Sequence, residues 1–231
     1  MTKKIKFVPR NLPSEVEPAP IPASKAIPDW FKKISPEFPG DGHKRSRGTV
    51  KRCLPYIDAM SSGYIAELPW DLEVAWVNGD QMVFWASNHT TDKLVDLDPP
   101  HRSKGLPEPY GYSSNVWRIN LPSVTYTPSG HSILVTHPMN RYDLPFLAIS
   151  GVVDSDKSHV AMTANVYIRS DFEGIIEKGT PVLQIIPFKR DNWNMETGEF
   201  DIKENIKHLY EVGSTLSSSY LKNFWSKKLY Q

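Results

Sequence analysis

The chain has one cysteine, almost no net charge and no long apolar run. A single Cys53 excludes a disulfide framework within one chain and fits a reducing compartment. Lying in an apolar stretch, Cys53 reads as a small buried hydrophobe rather than a nucleophile. The net charge is +1, from 27 Lys and Arg against 26 Asp and Glu. That balance lacks the basic excess of a domain built for nucleic acid, so no nucleic-acid partner is expected. No apolar stretch approaches the roughly 20 residues of a membrane span, so no membrane partner is expected. The opening MTKKIKFVPR has positive charge without an apolar core, which is not a secretory signal. Compact catalytic signatures are missing too: there is no Gly-x-Ser-x-Gly elbow, no phosphate loop and no dinucleotide fingerprint. The 7 histidines show no HxH, HxxxH or Cys-pair spacing, so no metal site is expected.

Proline and aromatic residues are what the chain does have. Its 20 prolines would interrupt long helices and favour strands and ordered loops. The 7 tryptophans are spread over all segments, which suits core packing better than a stacking platform for bases. A length of 231 residues suits one domain, or one domain with extensions, and can bury a sizeable core.

Three regions are expected. Residues 1–48 read as an extended N-terminal arm and linker, with the Pro-rich run from Pro13 to Pro28 lying along a surface. Within it, Asp29 to Ile34 predicts one helical turn capped by Asp29, with Trp30, Phe31 and Ile34 on its buried side. The basic loop from Gly40 to Arg47 reads as solvated, because no strand–loop–helix context surrounds it. Residues 49–200 carry the strand signals. Leu72 to Val77 alternates, Asn78-Gly79 is a strong hairpin signal, and Gln81 to Ala86 returns. Residues 87–112 read as a long loop, functional or interfacial. Further strands are expected at Asn115–Ile119, Ser132–Thr136, Leu144–Val153, His159–Tyr167 and Val182–Phe188, with Pro122 to Gly130 as a connection. At least seven short strands with turn signals between them indicate a sandwich or barrel. Residues 201–231 read as a C-terminal helical segment. Lys203 to Tyr210 has helical spacing, and Ser217 to Tyr230 places Tyr220, Leu221, Phe224, Trp225 and Leu229 on one stripe.

The stretch from Thr127 to Phe188 carries a resemblance. Gly151-Val152-Val153-Asp154-Ser155-Asp156 resembles the GVIDxDYRG motif of deoxyuridine triphosphatases. Gly179-Thr180-Pro181-Val182-Leu183-Gln184 resembles their GDRIAQ motif. Pro128-Ser129-Gly130 opens a strand as in that family, and Gly179 follows Gly151 by 28 positions. The same segments also resemble the related deoxycytidine triphosphate deaminases. The resemblance covers about residues 115–190. It implies a mainly β fold of the β-clip class: a distorted barrel, commonly trimeric, here with an N-terminal arm and a C-terminal helix added. Over the whole chain, the sequence from Arg47 to Val74 and the stretch Ile27–Ile34 resemble uncharacterised proteins of marine tailed bacteriophages, especially those of cyanobacteria.

The family's chemistry is not carried over. Pro138-Met139-Asn140 stands where the family has its phosphate-holding Arg-Ser motif, and neither Pro nor Met can donate a charge-assisted bond to phosphate. Lys157 replaces the sugar-stacking Tyr, and His159 a Gly. Two hypotheses follow. The first is a non-enzymatic phage protein, structural or assembly-related, forming a homo-oligomer such as a trimer or binding other phage proteins. Trp30, Phe31, Tyr220, Phe224 and Trp225 are its interface candidates, and it would reside in the virion or the cytoplasm of an infected bacterium. The second is a nucleotide-processing or nucleotide-sensing enzyme with a rebuilt site. Asp154 would be its base, Gln184 a base-edge contact, Arg141 and Lys157 phosphate contacts, and magnesium its cofactor. Asp154 also reads as a plain turn residue and Gln184 as a core-edge residue. A third option is a small-molecule module using the loop from Asn88 to Tyr112.

Overall fold

The computed structural model of the chain describes residues 3–9, 19–38, 47–85, 94–159, 161–214, 221 and 225–231. The N-terminal region supplies β1 (Lys6–Pro9), β2 (Ile21–Pro22), α1 (Asp29–Lys33), β3 (Glu37–Phe38) and β4 (Arg47–Gly48). Then follow α2 (Leu54–Ser61), β5 (Tyr64–Glu67), β6 (Leu72–Val77), β7 (Asp80–Trp85), β8 (Val95–Leu97) and α3 (Pro100–Ser103). The body continues with β9 (Tyr112–Tyr126), β10 (His131–Thr136), β11 (Phe146–Ala148), β12 (Gly151–Val153) and β13 (Ala161–Arg169). Last come β14 (Gly174–Ile176), β15 (Pro181–Lys189) and α4 (Ile202–Ser214).

The mainly β expectation holds. The strands form one five-stranded sheet in the order β1-β9-β13-β11, with β8 also on β9, and a second in the order β12-β10-β15-β5-β2. A three-stranded sheet, β14-β6-β7, and the β3-β4 pair complete the set. Among the described residues no ladder closes these sheets into a barrel. Instead they share one hydrophobic cluster: Trp117, Ile119, Phe146, Val166 and Ile168 from the first sheet, Ile133, Leu183 and Ile185 from the second, Leu72, Val74 and Ile176 from the third. The residues read as an N-terminal arm add an edge strand to each large sheet, β1 along Ser123–Tyr126 and β2 along Tyr64–Ile65.

Local chemistry explains where elements start and stop. The β6–β7 hairpin closes through Asn78 (φ 53°) and Gly79 (φ 89°), the left-handed pair that a two-residue turn requires. Pro122, expected in a connection, lies inside the 15-residue β9. A register irregularity between β9 and β13 occurs there, where Ala161 pairs with Val124 but Thr163 pairs with Asn120. Such an irregularity accommodates a residue with no N–H. The run Leu144–Val153 divides into β11 and β12, which belong to different sheets. The expected loop 87–112 contains β8 and α3 among its described residues.

Three other expectations are corrected. Asp29 is the first residue of α1 rather than its cap, and it bonds Lys32 at 2.9 Å. Cys53 is exposed, because it stands at the entry to α2 before the first buried turn. The C-terminal stripe does not continue as a helix: residues 225–231 have no regular structure and lie against α2 and β5. The helix expected at Lys203–Tyr210 is present within α4, where Asp201 caps the Lys203 and Glu204 amides at 2.8 and 3.1 Å.

Gly63 fixes how α2 meets the second large sheet. It has φ +73°, and a Cβ built there would lie 2.1 Å from the Ile185 carbonyl oxygen. Gly79 has a comparable positive φ but nothing within 4 Å of its Cβ position. Gly63→Ala is therefore expected to destabilise the fold by at least ~2 kcal/mol more than Gly79→Ala, whose cost is backbone strain of about 1 kcal/mol. Urea midpoints of the two variants check this, and equal losses would mean the close approach is absent.

Candidate functional site

Asp154, the candidate base, opens the turn between β12 and β13. Its own carbonyl accepts the amides of Lys157 (2.9 Å) and Ser158 (2.8 Å), so the turn is closed by backbone bonds. Its carboxylate accepts from the Ser132 hydroxyl at 2.6 Å and from Arg190 at 3.2 Å. Arg190 is the hub of this end of the molecule. It also donates to the His131 carbonyl (3.0 Å), to Ser132 Oγ (2.8 Å) and to both oxygens of Asp156 (2.9 and 2.5 Å). Asp156 further accepts the Gly130 amide at 2.8 Å. Gly130 (φ 77°) is the third residue of the turn from Pro128 to His131, the place where a left-handed residue is needed. The two carboxylates differ in setting: the Asp156 side chain is 5% exposed and that of Asp154 is 49% exposed. Hydrogen bonding from Arg190, helped by the Gly130 amide, holds the Asp156 carboxyl well below the usual carboxylate range.

Gln184 sits on β15, fully buried, opposite Thr136 of β10. Its Nε2 donates to the carbonyls of Ala59 (2.8 Å) and Ser62 (2.7 Å), and its Oε1 accepts the Met139 amide (2.8 Å). Two acceptors on one side and a donor on the other fix the amide orientation. The adjoining turn is pinned by His137. Its Nδ1 accepts the Ala148 amide at 3.3 Å, so its Nε2 carries the proton donated to the Arg141 carbonyl at 3.0 Å. Burial lowers the His137 pKa, which keeps this tautomer neutral. The Arg141 guanidinium is taken by both oxygens of Asp143, at 2.9 to 3.2 Å. Ala26, Pro28, Met60, Met139 and Gln184 line what remains of the groove, a cavity of about 10 Å³.

The structure does not bring the sequence candidates together. Ser132, beside Asp154, and Thr136, beside Gln184, lie four residues apart on β10, or about 13 Å at strand rise. Lys157 is exposed at the Asp154 end, whereas Arg141 is at the Gln184 end and already paired. Among the described residues, no group of three or more His, Cys, Asp or Glu side chains is arranged to hold a metal. No helix there is long and apolar enough to cross a membrane.

Of the described aromatic interface candidates, Phe31 and Trp225 are engaged by their own chain and Trp30 is exposed. Phe31 is buried and stacks on Tyr56 of its own chain with ring centroids 5.8 Å apart. Trp30 is exposed and packs edge-on against Phe31, with ring centroids 5.8 Å apart. Trp225 donates its indole N–H to Asp58 at 2.8 Å, and Lys228 reaches the same carboxylate. Tyr220 and Phe224 lie outside the described residues. Arg190 and Asp58 are the organising residues that sequence reasoning missed. The one local hint was a basic pair, Lys189-Arg190, directly after an apolar strand.

No protein-family model and no curated protein matches the chain. Solved structures similar to it include mutant deoxyuridine triphosphatases from phage phi11 of S. aureus and from Staphylococcus bacteriophage 80alpha. Each shares 12% identity over 48% of this chain and 99% of its own, with TM-scores of 0.27 and 0.25. These values assign neither an activity nor a site to this chain.

Two outcomes follow from the geometry. Gln184→Leu orphans three backbone groups and is expected to cost ~3 kcal/mol or more, whereas Asp154→Asn should stay within about 0.5 kcal/mol. Denaturant titration separates them; comparable losses would make Asp154 the structural anchor. The lowered Asp156 pKa contributes stability that is present above the unfolded-state value near pH 4 and is lost as pH falls toward the folded value. The stability gap between the native chain and Asp156→Asn is therefore expected at neutral pH and to narrow below roughly pH 4. A gap independent of pH would contradict this.

Proposed function

We propose that the chain is a non-enzymatic, assembly-related protein of a phage or phage-like system, built on a scaffold resembling the deoxyuridine triphosphatases. The observation that carries this reading is the filled groove beside Gln184. Ala26, Pro28 and Met60 occupy it down to about 10 Å³. Ligand pockets of drug-sized molecules need roughly 300 Å³ or more. The residues that would do chemistry are engaged elsewhere: Gln184 with three backbone groups, Arg141 with Asp143, and Asp154 with Ser132 and Arg190.

The chain beyond β15 supports an assembly role. Trp193 is 89% exposed, Met195 92% and Phe200 71%. On α4, Ile202, Ile206, Leu209 and Tyr210 are exposed as well. That much apolar surface along one extension is a mark of an interaction site. The reading assigns it to a homo-oligomer, a trimer by the fold resemblance, or to other phage proteins. The second reading, a nucleotide-processing or nucleotide-sensing enzyme, is favoured by one observation: the Asp154 carboxylate remains half exposed beside Arg190.

Light scattering at micromolar concentration is expected to report a trimer, and Trp193→Asp with Leu209→Asp to convert it to monomer. The native chain, given magnesium and each deoxynucleoside triphosphate, is expected to release no pyrophosphate, phosphate or ammonia. Turnover abolished by Asp154→Asn would replace the proposal with the enzyme reading, and a sharp native monomer would remove the assembly claim.

A further inference from the structure

A second cavity, of about 490 Å³, lies on the outer face of the first large sheet, far larger than the groove at Gln184. It exists because α3 and the turn after it cross that face. The Asp98 amide ties the crossing segment to the Val116 carbonyl at 2.8 Å. Val116 of β9 and Tyr167 of β13, a registered pair, are buried beneath it, at 3% and 5% exposure, although neither belongs to the main core. Leu97, Val116 and Leu106 give the cavity an apolar lining.

Two polar side chains there are not satisfied by the protein. Asp98 is 7% exposed, Tyr167 is 5% exposed, and both line the cavity. Neither the Asp98 carboxylate nor the Tyr167 hydroxyl has a hydrogen-bond partner among the described residues. Both groups border the cavity with no protein donor or acceptor to meet them, so each is free to bond a ligand there. The next row of the same sheet face continues the pattern. Asn165 pairs in register with Arg118, and both Asn165 Oδ1 and Arg118 Nε are buried without partners. The rim adds a second carboxylate, Glu108, whose charge, after burial, helps raise the Tyr167 pKa and keep that phenol neutral. The cationic side chains on the lining are Lys104 and the titratable His101, and no salt bridge joins either to Asp98 or Glu108.

We propose that this cleft is a binding site for a small organic amine, whose ammonium or guanidinium N–H groups meet Asp98 and whose short apolar body lies on Leu97, Val116 and Leu106. Asp98 accepts the charged N–H groups, and Tyr167 Oη accepts a further one. The cavity volume falls in the range of small-molecule sites, and a charge-assisted bond is stronger than a neutral one. An anion would meet two carboxylates, and a purely apolar ligand would leave Asp98 unpaired.

The test uses the full chain, amide NMR and titration calorimetry, with 1,4-diaminobutane and agmatine as probes and 1,4-butanediol and succinate as controls. The amines are expected to shift amides within 97–108 and at 115–116 and 167, with neither control doing so. Asp98→Asn should weaken amine binding about tenfold or more, and Tyr167→Phe about three- to tenfold. Without ligand, Asp98→Asn should leave the melting temperature near that of the native chain, because the carboxylate bonds no protein donor that the change would orphan. Three results would each overturn the proposal: no response to either amine at millimolar concentration, equal binding of butanediol, or a melting temperature lowered by several degrees in Asp98→Asn.

Discussion

The buried amide of Gln184 is the contact on which the rest of the structure hangs. It leaves water completely, and a side-chain amide in that position must find partners for its polar atoms. It finds them on two elements distant in sequence, the end of α2 and the turn after β10. The eight-residue α2 is too short to be stable alone, and its last carbonyls have no partners within the helix. Side chains supply partners: the Ser62 hydroxyl donates to Asp58 and the Gln184 amide to Ala59. Gly63 then lets the chain leave the helix across the Ile185 carbonyl, one residue from Gln184. Helix position, sheet register and the shape of the Pro138–Arg141 turn are therefore one constraint. That constraint also fills the groove, since Met60 is carried in by the helix that Gln184 holds.

Arg190 plays the same part at the other end of β10, with charge in place of an amide. It joins the start of β10, the end of β15 and the turn after β12 through one planar group with five donors. Asp156 and Asp154 share this arginine but not its strength. Asp156 is held bidentately and away from solvent, whereas Asp154 remains half exposed, where ion pairs contribute little. The Asp-Ser-Asp turn is thus anchored by its second carboxylate. The first, which motif resemblance singles out, is the one that the fold needs less.

Much of the fold was legible because it is local. Alternation and Asn78-Gly79 gave the β6–β7 hairpin, and spacing with Asp201 gave α4. The reading failed where the deciding partner is far along the chain. Pro122 argues for a connection until β13 supplies an irregular register in which it fits. The aromatic stripe at Trp225 satisfies helical periodicity, yet Asp58 and Tyr64, each 167 positions from its partner, hold residues 225–231 in an irregular course. The same holds for the site. The resemblance singles out Asp154, in the turn after β12, and Gln184, on β15, but their contacts depend on Arg190, Ala59 and Ser62, and no spacing rule reports those.

The contrast between the two cavities turns on satisfaction of polar groups rather than on size. At the groove, every side chain that could act has been answered by another residue: Gln184 by three backbone groups, Arg141 by Asp143, His137 by Ala148 and Arg141. A network so complete rigidifies its surroundings and leaves nothing for a ligand to bond. On the outer sheet face the reverse holds. Asp98 and Tyr167 are mostly buried residues whose polar ends border the cavity, and no described residue hydrogen-bonds those ends. Polar groups that line a cavity and have no protein partner mark it as a place where something outside the chain can complete them. In this protein the groove that the resemblance marks is complete in itself, whereas the cleft on the outer sheet face still has polar groups to offer.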